Sequence, residues 1–272
     1  MHDEALKKVL SKIRKDENGK TVIDAEDILS LPWEEYRALV TTGRLPEVDH
    51  VHVAPGSPYS PLYWLMKDLN LKQTMSLWLA CSMCLIGSSV NNPAQVSSAV
   101  IGFMSWVPIE YGFHRFLGHM PIVNDQTKKA NFYLHNKHHF SPKDVERGFI
   151  PPAVVMIISM MMYHYVYSYI TKNPEMALGF VILHYLAYEL MHYSMHRFHL
   201  QEVLAVPIVG NTLARIWGNH ARHHAESDKR FFVTTGGLMK GFFSSKGSLF
   251  LSNASAASTD QSSPLEDSIA LN

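Results

Sequence analysis

From Gln73 to Ile109 the chain carries no Asp, Glu, Lys or Arg, a run of 37 residues broken only by the turn signal Asn91-Asn92-Pro93. A membrane helix takes about 20 apolar residues, so this run reads as two spans joined by a tight turn. A second block repeats the pattern. Gly148 to Thr171 is free of formal charge, Lys172-Asn173-Pro174-Glu175 makes a turn, and Met176 to His196 has Glu189 as its one formal charge. The expectation is an all-α membrane protein: four transmembrane helices in two hairpins, with a histidine-rich helical cap. Four buried helices of a soluble bundle are the rival reading, since serines such as Ser97-Ser98 dilute the hydropathy.

Charge supplies the orientation. Both hairpin turns are nearly uncharged, whereas Arg115, Lys128, Lys129, Lys137, Lys143 and Arg147 lie between the hairpins, and Arg197, Arg215, Arg222, Lys229 and Arg230 follow the second. Positive residues stay cytosolic, so both termini and the central loop are expected on that side. Lys and Arg (24) balance Asp and Glu (24), which leaves no global field to attract nucleic acid. The first 20 residues show no secretory signal and read as a charged surface helix. A second helix is expected from near Ser30, with Pro32, Glu34 and Glu35 in its first turn and Gly43 closing it. The organisation expected is a cytosolic N-terminal region and linker over 1–66, with residues 44–66 as the linker. A membrane domain follows over 67–235, then a low-complexity, disordered tail over 236–272.

Sixteen of the 272 residues are histidine. Ten fall into four groups near the expected cytosolic boundaries: His114 and His119; His135, His138 and His139; His192 and His196; His220, His223 and His224. On a helix, positions i, i+3 and i+4 share a face. Each HxxHH box therefore aims its imidazoles at one point, and His192 and His196 lie one turn apart. The five-residue step from His114 to His119 rotates by about 140° on an ideal helix, so Gly118 is expected to end or bend the helix and let His119 swing back. Imidazole ligates zinc, iron and copper, and ten donors exceed what one ion uses. Two neighbouring ions are the natural count. Lone histidines such as His50, His52, His164 and His199 read as ordinary structural residues. A metal-storage or transport protein is the rival to an enzyme.

The ordered series His114-Arg115-Phe116-Leu117-Gly118-His119, His135-Asn136-Lys137-His138-His139, His192-Tyr193-Ser194-Met195-His196 and His220-Ala221-Arg222-His223-His224 resembles the membrane fatty acid hydroxylase superfamily, and within it the fatty acid 2-hydroxylases. The likeness runs over about residues 73 to 235. It implies a non-heme dimetal oxygenase of the endoplasmic reticulum membrane, hydroxylating long-chain fatty acyl groups at carbon 2 for sphingolipid synthesis. A sterol-type oxidase of the same superfamily, or a catalytically impaired metal-binding isoform, shares these boxes. Breaking an unactivated C–H bond needs a metal that exchanges electrons, so iron is the expected catalytic ion, and zinc can fill the same nitrogen-rich site without turnover. Many fatty acid 2-hydroxylases carry a fused cytochrome b5 domain with an HPGG motif, which residues 1–66 lack. Electrons are therefore expected from an external cytochrome b5 and its NAD(P)H reductase.

Glu189 precedes His192 by three residues and is read as a carboxylate that accepts the His192 ring N–H and fixes its tautomer. His184 and Tyr188, on the same face, are read as lining an acyl channel or making hydrogen bonds. Met156, Met160, Met161, Met162, Tyr163, Tyr165, Tyr167 and Tyr169 either shape a lipid tunnel or pack against lipid. Cys81-Ser82-Met83-Cys84 lies mid-span, where a redox CxxC has no access to partners. HExxH, GxGxxG and Walker signatures are absent. After Thr235 the chain departs from its likeness, which usually continues with an aromatic segment over the site.

Overall fold

In a computed structural model, residues 2–41, 45–53, 69–145 and 149–226 are described. Gly43, residues 54–66 of the expected linker and the expected tail lie outside them. Two hairpins form the frame. Helix α4 (Leu71–Ser89) turns into α5 (Gln95–Gly112), and α8 (Pro152–Met162) runs through a π-helical turn (Tyr163–Tyr167) into α9 (Ser168–Ile170) before turning into α10 (Pro174–Arg197). Asn70 caps α4 in a capping box with Gln73, and Asn173 caps α10 ahead of Pro174. The two turns grip each other, Asn92 Nδ2 donating to Lys172 O at 3.1 Å and Asn173 Nδ2 to Ser89 O at 3.0 Å.

Helix α10 packs against both α4 and α5 through small residues. A Cβ on Gly102 would stand 2.0 Å from Ala177 O, and Ser82 Oγ donates to Gly179 O at 2.8 Å. Close approach at small residues is how helices associate in lipid. The outer faces carry exposed apolar side chains, among them Met83, Val100, Met104, Met156 and Met160.

Of the four expected spans, one continuous helix, Pro152–Ile170, is long and apolar enough among the described residues to cross a membrane by length and composition. The other three fall short by composition, and several of the polar residues that lower it turn inward: Ser82 and Ser98 are buried, as are His184, Glu189 and His192 on α10. The all-α expectation also needs correction. Residues Arg14–Lys15 (β1) pair antiparallel with Thr21–Asp24 (β2), which pairs in parallel with His50–His52 (β3). The helix expected over the first 20 residues is confined to α1 (His2–Leu10). Asp16 Oδ1 accepts from the Asn18 and Lys20 amides and Gly19 takes φ +77°, so the chain turns back there instead. Strand β3 lies inside the stretch read as linker. The second helix forms as expected, as α3 (Trp33–Thr41) after the short α2 (Ala25–Leu29).

This N-terminal unit shares its core with the segment between the hairpins. Ile23, Ile28, Tyr36 and Leu39 pack in one cluster with Ile122, Phe132 and Phe140. That segment contains α6 (Asp125–Asn131), a π-helical turn (Phe132–Asn136) and α7 (Lys137–Phe140). After α10 come α11 (Leu200–Leu204) and α12 (Gly210–Glu226).

Candidate metal centre

All ten predicted histidines converge, but in a different partition from the one the spacing implies. His138, His192, His196, His220 and His224 offer ring nitrogens within 4.8 Å of one another, and so do His114, His119, His135 and His223. His139 stands beside the latter group, its Nε2 2.8 Å from His135 Nε2 and its ring 4.3 Å from that of His224. Each HxxHH box is thus split between groups. His220 and His224, one turn apart, serve one group while His223 points to the other. His135 and His138 part in the same way.

The first pair is closed by a π-helical turn. Helix α5 passes into Phe113–Gly118 with i→i−5 hydrogen bonding, and His119 N donates to His114 O at 2.9 Å. One extra residue in the turn offsets the 140° rotation and brings the rings to 5.2 Å. Gly118 is the last residue of this turn, so the helix ends there as expected, with His119 just beyond it. A Cβ there would meet His135 Cγ at 3.3 Å, so the glycine leaves room for the second box.

The donor set fits metal ions. His114 Nε2 lies 3.0 Å from both His135 Nε2 and His223 Nε2, and His220 Nε2 lies 2.7 Å from His196 Nε2 and 3.1 Å from His224 Nε2. A neutral imidazole has one N–H to donate, so these fans cannot all be hydrogen bonds. Nitrogens about 2.1 Å from a shared ion and at right angles about it stand about 3 Å apart. Buried His138 has no hydrogen-bond partner on either ring nitrogen among the described residues. Burial, reinforced by neighbouring imidazoles, holds His135, His138, His139, His220 and His224 well below the usual imidazole range, leaving them neutral and able to ligate.

Other expected residues sort differently. Glu189 is fully buried, but its Oε1 accepts from Ile150 N at 3.2 Å and its Oε2 has no partner among the described residues, so the expected bond to His192 is not made. The geometry explains this: Ile150, entering α8, comes within reach of the carboxylate. Tyr188 stacks on the His192 ring at 5.7 Å and against Trp106 at 5.4 Å. His184 turns away to donate from Nδ1 to Phe103 O at 2.7 Å, with its ring stacked on Phe103. An apolar groove enclosing ≈ 450 Å³, its open mouth included, runs between α5, α8 and α10 past Trp106, Phe113, Val155, Met162, Leu178 and Tyr185. Met162 lines it, whereas Met156, Met160, Met161, Tyr165 and Tyr169 face outward and Tyr167 is buried against Ser105.

Sequence reasoning passed over Asn131 and Asn136, which bracket the second π-helical turn, and Tyr36, which reaches them from α3. Asn136 lies inside the second box, and an amide buried beside ligands was its available signal. Glu110, buried one turn before His114, occupies on α5 a place like that of Glu189 on α10.

The fold and the site define a mostly helical protein with two histidine groups suited to hold metal ions. No protein-family model matches the chain. It is 29% identical over 156 residues to the ceramide very long chain fatty acid hydroxylase of Schizosaccharomyces pombe, across 56% of this chain and 42% of that protein. To the fatty acid 2-hydroxylase of Rattus norvegicus it is 29% identical over 150 residues, across 53% and 38%. The dihydroceramide fatty acyl 2-hydroxylase of Arabidopsis thaliana is 27% identical over 136 residues, across 49% and 54%. The matches thus span less than half the length of the first two relatives. A solved structure of full-length Scs7p, with only its hydroxylase domain visible, shares the fold: TM-score 0.59 and 21% identity, over 86% of this chain and 85% of that one. The resemblance to the fatty acid 2-hydroxylases, drawn from the histidine boxes, is borne out.

Proposed function

We propose that the chain is a membrane-bound, dimetal hydroxylase that oxidises a long-chain acyl group at carbon 2 for sphingolipid synthesis. It acts on the cytosolic face of the endoplasmic reticulum with electrons from cytochrome b5 and its reductase. One observation carries this reading: ten histidines from four segments gather at the end of a helix frame whose interior holds an apolar groove. The curated relatives, hydroxylases of fatty acyl and ceramide acyl chains by name, support the substrate class.

His138, His192, His196, His220 and His224 would hold one ion, and His114, His119, His135 and His223, with His139 beside them, the other. Iron, when bound, supplies the electron exchange with dioxygen that cleavage of an acyl C–H bond requires. The protein's own part is to bind and aim the chain. Leu178, Val181, Ile182 and Tyr185 of α10 line the groove, and His192 follows Tyr185 about 10 Å farther along the same helix. A hydrocarbon tail in that groove points its polar end toward the histidines. The Trp106, Tyr188 and His192 rings pack in succession along this path and exclude water. The exposed apolar outer faces of the hairpins suit lipid.

The test is product identification by mass spectrometry in cells expressing the chain with cytochrome b5. A 2-hydroxy acyl product is expected, abolished by His138→Ala or His223→Ala while the protein still inserts in membranes. Altered 4-methyl sterols would favour the sterol-type oxidase. No lipid change from a metal-loaded chain would leave a metal-binding protein without turnover.

A further inference from the structure

A buried polar network joins the N-terminal unit to the segments that carry the first two histidine boxes. Asn131, the last residue of α6, donates from Nδ2 to Gly118 O at 3.0 Å, at the end of the first π-helical turn and next to His119. Its Oδ1 accepts from Asn136 Nδ2 at 2.5 Å, across the second π-helical turn and next to His135. The Tyr36 hydroxyl of α3 closes the network, donating to Asn131 Oδ1 at 3.2 Å and accepting from Asn136 Nδ2 at 3.3 Å. Tyr36, Asn131 and Asn136 are each at most 2% exposed.

A π-helical turn is strained relative to an α-helical one and persists where its surroundings hold it. Both turns that present His114, His119 and His135 are gripped by the Asn131 side chain, and Asn131 is itself held from the N-terminal unit. Of the other group, His192 and His196 on α10 and His220 and His224 on α12 hang from helices the network does not touch, and only His138, two residues past Asn136, adjoins it.

We infer that Tyr36, Asn131 and Asn136 form a brace by which the N-terminal unit sets the geometry of the His114, His119, His135 and His223 group, selectively over its neighbour. Tyr36 and Asn131 are positioning residues. The inference rests on the reading that both groups take metal. Removing the brace loosens two π-helical turns and spreads three of the four nitrogens, while four of the five ligands of the other group keep their helices.

The test uses the full chain, purified in detergent, stripped of metal and titrated with Co²⁺ under its visible absorption. The wild type is expected to bind two ions. Asn131→Leu should bind one as before and the second about ten-fold more weakly, the scale on which groups supporting metal ligands act. Its cobalt spectrum should lose the bands of the weakened site. Tyr36→Phe keeps the ring in its core and removes only the hydroxyl, so it reports even where Asn131→Leu fails to fold. It should weaken the same ion about five-fold, one hydrogen bond's worth. A merely structural brace would lower the melting temperature and leave spectrum and stoichiometry unchanged, and that result in either folded variant overturns the inference. Parallel weakening of both ions overturns it too. A wild-type chain that binds no cobalt would overturn the metal reading itself, and the brace with it.

Discussion

Gly102→Ala tests the frame that carries the site. The added Cβ would stand 2.0 Å from Ala177 O and 2.7 Å from Ala177 C, whereas ordinary contact begins at 3.4 Å. Both partners are backbone, so no side-chain rotation relieves the clash, and α5 must retreat from α10 by roughly 1.4 Å, the difference between those two distances. Overpacking of this kind costs about 1–3 kcal/mol, which lowers the melting temperature of a chain this size by roughly 2–5 °C. The consequence reaches the metals because α5 leads to His114 and α10 carries His192 and His196. Ligand distances tolerate only about 0.2 Å, so metal occupancy should fall as well. Thermal melting in lipid nanodiscs, with metal content per chain, measures both. Gly87→Ala is the control, since a Cβ there meets nothing within 4 Å. A Gly102→Ala protein that melts with wild type and keeps its metal would refute the close packing of α5 on α10.

Lys128 is 3% exposed and reaches Leu29 O at 2.8 Å, Leu31 O at 2.6 Å and Asp125 Oδ1 at 2.8 Å. Lys128→Met strands two carbonyls and should lower stability by about 2–4 kcal/mol, measured by denaturant unfolding; a loss under about 1 kcal/mol would show that water replaces the ammonium. Acid should act through the buried histidines. With His135, His138, His139, His220 and His224 held below their unfolded value of about 6.5, the unfolded chain takes up protons that the folded chain refuses. Stability is fully present above that value and is lost as pH falls through it toward the folded ones, at a slope of at most about 1.4 kcal/mol per pH unit per histidine. Unfolding followed from pH ~7.5 to ~5 checks the sign, and a chain that gains stability on acidification contradicts it. His50 pairs with Asp144 at 2.6 Å in a partly exposed setting. His50→Ala should therefore cost less than about 1 kcal/mol and leave the lipid product unchanged, whereas loss of product would place His50 in the site.

What was legible in the chain followed from residue chemistry, and what was not followed from one-residue shifts in helix geometry. Imidazole clusters announce themselves because few other side chains do their work, and all ten converge. Their partition stayed hidden because an i, i+3, i+4 argument predicts a shared face and not a shared ion: the first two boxes involve π-helical turns that no local propensity marks, and on the regular helix α12 His223 still serves a different group from His220 and His224. Glu189 shares a face with His192 as the period requires, yet its partner, Ile150, comes from the other arm of the same hairpin, 39 residues back along the chain. Tyr36 lies 95 residues from Asn131, and strand β3, which pairs in parallel with β2, lies inside a segment that composition marks as linker. Hydropathy found the two hairpins but counted inward serines and histidines as if they met solvent, which is why three of the four helices fall short as spans by composition. The split boxes carry a physical consequence of their own. Because His135 and His138 share one short segment, and His223 lies between His220 and His224 on α12, the backbone joins the two groups at two places. A dimetal reaction needs its two ions at a fixed separation, and a backbone that carries ligands of both sets that separation through covalent geometry.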